Sequence, residues 1–156
     1  RLSGEPKEVD HYIEISCDRS KALDWDNLYL SCDNCNNKIP HNIIPVTDAL
    51  CPFIYTNQQI EENITFVNEY ARAYNDSAIG HNTIRKFKLN TEQVTLSRSR
   101  HLNEFYDNYT NILNQCNKEG NRKMTDVEIE SLRRFSNQDH PFSLMFRVLL
   151  RKKNLL

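Results

Sequence analysis

Residues 8–38 decide the fold, and they read EVDHYIEISCDRSKALDWDNLYLSCDNCNNK. Residues 8–15 alternate polar and apolar side chains, which predicts a β-strand. After a polar loop, the apolar run at 28–30 predicts a second strand. A short helix is expected after Cys35, and Pro40 limits its length. The stretch therefore predicts a strand, a loop, a strand and a short helix.

The rest of the chain is predicted to be mainly helical. Of 156 residues, 38% are hydrophobic and only three are glycine, which excludes global disorder and favours a helical body. Thr125 and Glu128 have the spacing of a capping box, and Pro141 is expected at the first position of a last helix. A stripe of apolar residues recurs at helical spacing before them. It consists of Val94, Leu102, Phe105, Tyr109, Ile112, Leu113 and Cys116. We predict an α+β protein with a core at 1–50 and a mainly helical extension at 51–156.

The composition also indicates the cellular compartment and the kinds of partner that we expect. No apolar run approaches the roughly 20 residues that span a bilayer, so no membrane association is expected. Five cysteines, an odd number, favour a cytoplasmic metal-binding protein over a secreted disulfide scaffold. Residues 1–50 contain five Lys or Arg and nine Asp or Glu, so the predicted core is acidic. A strong stand-alone DNA-binding protein is usually more basic than this.

Four polar residues in the first stretch have the chemistry that phosphodiester hydrolysis needs. A histidine such as His11 can take a proton from water near neutral pH. Asp10 and Asn36 offer oxygen ligands for a hard divalent cation. Asp10 and His11 are neighbours on a strand, so their side chains converge only if the strand ends or bends there. Asn27 is expected to bond the backbone of the long loop and hold His11 in place.

These residues resemble the HNH endonuclease family, whose members have a ββα-metal core. The resemblance covers about residues 8–40 and implies His11 as the general base. It implies Asp10 and Asn36 as ligands of a catalytic Mg²⁺ or Mn²⁺ ion, with Asn37 as the alternative ligand if the helix register shifts by one. It assigns Asn27 a structural role within the catalytic site.

The family often carries a structural zinc ion held by two CxxC pairs. Cys32 and Cys35 match the second pair, while residues 1–10 contain no cysteine. Because structural zinc needs four ligands, three alternatives stay open. The first pair precedes Arg1, which is the alternative that we favour because the chain does not begin with Met. Otherwise zinc is absent, or a ligand comes from the remaining cysteines, which are Cys17, Cys51 and Cys116.

A weaker resemblance concerns a bacterial subgroup of the family. The sequence DWDNL at 24–28 before Ser31, and the later Thr83-Ile84 and Leu89-Asn90 elements before Arg98, are similar to that subgroup. It includes the HNH subunit of Septu-type anti-phage systems and related retron modules. There the nuclease works with an ATPase partner. The resemblance therefore implies a DNA-cleaving effector of an anti-phage complex.

Contacts with nucleic acid are predicted at three basic residues, Lys38, Arg98 and Arg100. For Arg98 and Arg100 a solvated helix face is an equal alternative. The main hypothesis is a metal-dependent endonuclease. The rival hypothesis is a zinc-knuckle interaction module, a scaffold with a degenerate nuclease site, and the acidic first 50 residues favour it slightly.

Overall fold

The first elements are two antiparallel strands, β1 (Lys7–His11) and β2 (Leu28–Cys32). The computed structural model describes residues 7–32, 36–51 and 54–156, with only the backbone of Lys7 and Cys32. Asp10 pairs with Tyr29 and His11 with Leu28. Both predicted strands are confirmed, but β1 ends at His11 rather than at residue 15. The short helix predicted after Cys35 is not found over the described residues 37–40, since only Asn36 is helical and Asn37 lies in a bend.

The loop between the strands is shaped by aspartate caps. Asp18 accepts a hydrogen bond from the amide of Ser20, and Asp24 accepts one from the amide of Asp26. Each cap begins a single turn of 3-10 helix. Asp and Asn side chains favour such turns because they satisfy backbone donors locally. The loop therefore has defined turns although it contains no glycine.

A second group of elements follows. It consists of helix α1 (Asn57–Glu61), the antiparallel strands β3 (Ile64–Val67) and β4 (Tyr70–Ala73), and helix α2 (Ala78–Lys86). Residues 58–67 have a weak strand pattern in sequence, but the first half of this stretch belongs to helix α1 and only the second half forms β3.

The missed helix α1 has a local physical cause. The Thr56 hydroxyl accepts from the amide of Gln59, while the Gln59 side chain accepts from the amide of Thr56. This reciprocal capping box satisfies two donors that a helix start would otherwise leave unpaired. It begins a helix where the side-chain pattern alone favours a strand.

A buried lysine connects α2 to the chain near β1. The Lys86 side chain is 0% exposed, and its Nζ donates to the carbonyls of Ile39 and Ile44 at 3.0 and 2.8 Å. The same Nζ lies 3.2 Å from Glu14 Oε1, and the other oxygen of Glu14 accepts from the amide of His41. Burial alone would raise the pKa of Glu14, but these two donors together hold that pKa below its usual range. Lys86 thereby holds the segment after β1 against α2.

The C-terminal part is helical, as predicted. It contains α3 (Glu92–Lys118), α4 (Asp126–Arg133) and α5 (Ser143–Lys152). Its core is formed by fully or almost fully buried apolar side chains, namely Phe105, Leu132, Met145, Phe146 and Leu150. The predicted α+β class, with a helical extension, is confirmed.

The two predicted helix starts in this part had different outcomes. The capping box of Thr125 and Glu128 is confirmed, since each side chain accepts from the other residue's amide. Pro141 does not begin α5, which starts at Ser143. Phe142 lies between them with φ of 59°, a left-handed conformation that interrupts a right-handed helix. This conformation is unusual for an aromatic residue, so the pattern did not predict it.

The backbone divides into two compact units, residues 2–91 and 92–156. Residues 57–91 therefore belong to the same unit as the strands β1 and β2. The predicted division into a core at 1–50 and an extension at 51–156 stays a prediction. Within the described part of the chain, no helix has the length and apolar character needed to cross a membrane.

Replacing Lys86 with Met should strongly destabilise the unit of residues 2–91. The substitution removes the donor of Glu14 Oε1 and of the carbonyls of Ile39 and Ile44, so we expect a loss of about 3–5 kcal/mol in the free energy of unfolding. Urea unfolding followed by circular dichroism measures it. The control is Arg85→Met on the exposed face of the same helix, which should change the free energy by less than about 0.5 kcal/mol. Equal effects of the two substitutions would contradict this account of Lys86.

Candidate active site

Asp10 and His11 lie on opposite faces of β1, as alternation along a strand requires. Asp10 is buried and His11 is half-buried. β1 ends at His11, which is the condition under which the two side chains can serve one site. The backbone then continues into a turn, where the amide of Tyr12 donates to the carbonyl of Asn27 at 2.9 Å.

The two oxygens of Asp10 differ in their surroundings. Oδ1 accepts from Lys38 Nζ at 2.6 Å, and both of these side chains are only 5% exposed. Oδ2 is also buried, but no hydrogen-bond donor within the described residues reaches it. A buried carboxylate oxygen without a donor is costly, so its presence indicates a position made for a further cationic or donating group.

Lys38 is surrounded by oxygen atoms. Its Nζ donates to Asp10 Oδ1 and to the backbone carbonyl of His11, and it lies 3.5 Å from the hydroxyl of Tyr29. The ammonium is also 5.5 Å from the centre of the Tyr29 ring, within the range of a cation–π contact. The predicted phosphate contact of Lys38 therefore requires this buried arrangement to open.

The ring of His11 is oriented by the loop. Its Nε2 lies 3.0 Å from the carbonyl oxygen of Ala22. A carbonyl only accepts hydrogen bonds, so Nε2 carries a proton in this arrangement. In the neutral ring the remaining nitrogen, Nδ1, then holds the free electron pair. His11 is thus prepared to accept a proton at Nδ1.

Asn27 holds the loop that orients His11, and its side chain makes three hydrogen bonds. Its Oδ1 accepts from the amide of Ile13 at 2.6 Å, and its Nδ2 donates to the carbonyls of Ile13 and Lys21, each at 3.0 Å. Lys21 directly precedes Ala22, the residue that bonds His11. The buried amide therefore connects both ends of the loop, and its role in the site stays a prediction.

Asn36 is brought to β1, but not to Asp10 itself. Its Nδ2 donates to Glu8 Oε2 at 2.7 Å. Glu8 and Asp10 are two residues apart and therefore share a face of the strand. The alternative ligand, Asn37, is exposed.

Glu8 was not predicted as a site residue, although the alternation of side chains along β1 places it on the same face as Asp10. It adds a second carboxylate to the face that carries Asp10. Oxygen donors from carboxylates and amides are the ligands that Mg²⁺ and Mn²⁺ prefer. Across the described ranges, however, no three His, Cys, Asp or Glu side chains are gathered closely enough to form a metal-binding group. The chemistry of Glu8, Asp10 and Asn36 fits a hard cation, and the buried Oδ2 of Asp10 offers it a position.

The predicted zinc ligands cannot be placed. Cys35 and the side chain of Cys32 lie outside the described residues. Of the other cysteines, Cys17 is exposed, whereas Cys51 and Cys116 are buried. Cys51 packs against Tyr12, and the Cys116 sulfur accepts from Arg122 at 3.2 Å.

The two predicted arginines lie in the other unit, on α3. Arg98 is buried, and its guanidinium lies 5.6 Å from the centre of the Phe142 ring. Arg100 is exposed. The structure therefore places Arg98 within the packing of its own unit, and nucleic-acid contacts of both arginines stay predictions.

The comparison with known families points to the same stretch of chain. The family model for HNH endonuclease matches residues 1–42. This match includes β1, the loop and β2, and it supports the HNH family and a nuclease function for that part of the chain. No curated protein and no solved structure matches the chain.

Replacing Asn27 with Ala should release the loop that orients His11. We expect the free energy of unfolding to fall by about 2–4 kcal/mol, because three hydrogen bonds of about 1 kcal/mol each are lost in a buried place. Hydrogen exchange at the Ile13 amide gives a local readout. That amide should lose protection in Asn27→Ala and keep part of it in Asn27→Asp, which retains an acceptor. The exposed Asn37→Ala serves as control, and an unchanged Ile13 amide in Asn27→Ala would refute the loop-holding role.

Proposed function

We propose that this chain is a metal-dependent HNH endonuclease that hydrolyses phosphodiester bonds of DNA. The observation that carries the proposal is the pairing of two features at the end of β1. One is the buried Oδ2 of Asp10, which no donor of the described residues reaches, and the other is the ring of His11, whose Nδ1 is left as a base. The HNH family match over residues 1–42 supports the same reading of this stretch.

His11 acts as the general base in this proposal. The carbonyl of Ala22 keeps the proton on Nε2, so a water molecule at Nδ1 can give up its proton as it attacks the phosphorus atom. The bond from phosphorus to the leaving oxygen then breaks, and that oxygen takes a proton from solvent. Asn27 supports His11 indirectly, since it holds the loop and does not touch the reacting atoms.

Asp10 and Asn36 would hold a Mg²⁺ or Mn²⁺ ion. Asp10 offers its buried Oδ2. The Asn36 amide nitrogen is engaged by Glu8, which leaves its oxygen as the possible ligand atom. Bound there, a hard divalent cation supplies charge compensation for the phosphate and the leaving oxygen. Zn²⁺ on Cys32 and Cys35 belongs to the proposal as a structural ion that requires further ligands.

The wider role that we propose is that of a nuclease effector in a bacterial anti-phage complex with an ATPase partner. It rests on the weaker resemblance to the Septu-type subgroup and on charge. Residues 1–50 have a net charge of −4, so they offer little attraction for a polyanion. A partner that delivers or clamps DNA would supply the missing attraction. Cleavage at full rate by the isolated chain would exclude this need for a partner.

The alternative function is a zinc-knuckle scaffold with a degenerate nuclease site. The acidic composition favours it, as does the pairing of Asp10 with Lys38, which already neutralises the carboxylate. A scaffold has no use for an oriented histidine base, so His11 distinguishes the two functions.

Replacing His11 with Ala should abolish cleavage while the fold is kept. In a plasmid-nicking assay with Mg²⁺ or Mn²⁺, alone and with any co-purifying partner, we expect a rate loss of about 10²–10⁴-fold. The control is His81→Ala, because His81 is an exposed histidine that pairs with Asp76 on the surface. It should cut like the wild-type chain, and circular dichroism checks both folds.

Two outcomes would overturn the proposal. Equal cleavage by the His11→Ala variant and the wild-type chain would remove His11 from the chemistry. A folded wild-type chain that cuts under none of these conditions, with or without its partner, would favour the scaffold function.

A further inference from the structure

The Lys38–Asp10 pair differs from the other ion pairs of the described residues in how deeply it is buried. Both side chains are 5% exposed, whereas Lys21 and Asp24, at the same separation of 2.6 Å, are 40% and 29% exposed. Even the pair of Lys86 with Glu14 leaves its carboxylate 18% exposed. Burial of two charges costs much solvation free energy, and surface pairs do not incur this cost. A pair buried in this way, beside the proposed base, requires a functional explanation.

The surroundings of the Lys38 ammonium are those of a cation site. Three oxygen atoms face it: Asp10 Oδ1, the carbonyl of His11 and the hydroxyl of Tyr29. Carboxylate and carbonyl oxygens are also the ligands that hard divalent cations take. Lys38 pairs with the carboxylate whose second oxygen is buried and is reached by no donor of the described residues. Lys38 thus occupies the charge-compensating role that the proposed metal ion would have.

We propose that Lys38 is a resident counter-ion of the nuclease site, which holds Asp10 while no divalent cation is bound and is expelled when one binds. This inference rests on the proposed function. Two cations a few ångströms apart in a site sheltered from water repel each other strongly. Lys38 and the divalent cation therefore compete for Asp10, and each weakens the binding of the other.

Expulsion requires movement of the side chain only. The backbone on either side of Lys38 is held, because its own amide bonds the carbonyl of Asn36 at 2.9 Å and the amide of Ile39 bonds the carbonyl of Lys86 at 2.8 Å. The lysine stem has four flexible carbons, so the ammonium can leave the pocket while Asn36 stays at β1.

The expelled ammonium would remain next to the site, where it can meet an anionic phosphate. One residue then explains both the buried pair and the predicted nucleic-acid contact of Lys38. When the cation binds, the Lys38 ammonium leaves the Asp10 carboxylate and contacts the substrate phosphate instead. The cation-free protein keeps Asp10 paired with Lys38.

The test compares Mn²⁺ binding by the full chain and its variants. Electron paramagnetic resonance of free Mn²⁺ gives the dissociation constant without any need for cleavage. In Lys38→Met the competitor is gone, so we expect Mn²⁺ to bind about tenfold more tightly or better, which corresponds to about 1.4 kcal/mol. Mn²⁺ should also raise the melting temperature of this variant more than that of the wild-type chain, because it relieves the unpaired Asp10.

Matched variants isolate the effect. Lys21→Met removes a lysine whose side chain is 40% exposed from a pair of the same length, and it should leave the dissociation constant unchanged. Asp10→Asn should abolish specific binding. Unchanged or weaker Mn²⁺ binding by a folded Lys38→Met variant would overturn the proposal, since Lys38 would then support the cation rather than compete with it.

A second measurement uses the wild-type chain and does not depend on the folding of Lys38→Met. Amine-reactive labelling, read by mass spectrometry, reports how accessible each lysine is. Lys38 should react slowly without divalent cations and several-fold faster in saturating Mg²⁺, while Lys86 stays unreactive in both. Equal labelling of Lys38 with and without Mg²⁺, in a chain that binds the ion, would contradict expulsion.

The outcomes separate this inference from the proposed function. If the wild-type chain cuts plasmid but Lys38→Met binds Mn²⁺ no more tightly, the nuclease stands and the counter-ion role fails. If neither chain binds Mn²⁺ and the wild-type chain does not cut, the nuclease function fails and the counter-ion role fails with it.

Discussion

A carboxylate buried at the end of a two-stranded ladder must be compensated, and this constraint organises the N-terminal unit. Asp10 is buried together with Lys38, which bonds one of its two oxygens, and within the described part of the chain no donor reaches the other oxygen. Such an arrangement is a poor source of stability, because the solvation lost by two buried charges offsets most of their attraction. The second oxygen of Asp10 is the position that we propose for a divalent cation.

Two strands alone are too few to hold such a site rigidly. The structure compensates with side chains that bond backbone atoms far along the sequence. Asn27 connects the turn after β1 to the loop beside His11, and Lys86 connects α2 to the segments around Glu14 and Ile39. Both side chains are buried and satisfy several backbone groups at once. Neither Asn27 nor Lys86 is among the groups that we propose to react, so both are expected to position the site.

Local features were predictable from the sequence, and long-range ones were not. The strands at β1 and β2 follow from alternation and apolar runs, and Thr125 with Glu128 forms the expected capping box. The same kind of box at Thr56 was missed, because the apolar residues after it favoured a strand. The burial of the Lys38 side chain against Asp10 could not be predicted from the sequence pattern, since the two residues are 28 positions apart. Neither could Lys86, which meets Glu14 across 72 residues. Contacts of this kind depend on how elements pack, and no single segment encodes them.

The most direct test of the central claim is the location of a bound divalent cation. Crystals of the wild-type chain grown with Mn²⁺ would reveal the ion by its anomalous scattering. The account predicts a peak within about 2.5 Å of a carboxylate oxygen of Asp10, with the Lys38 ammonium turned away from that carboxylate. An ordered Mn²⁺ ion elsewhere on the chain, with Lys38 still bonded to Asp10, would contradict it.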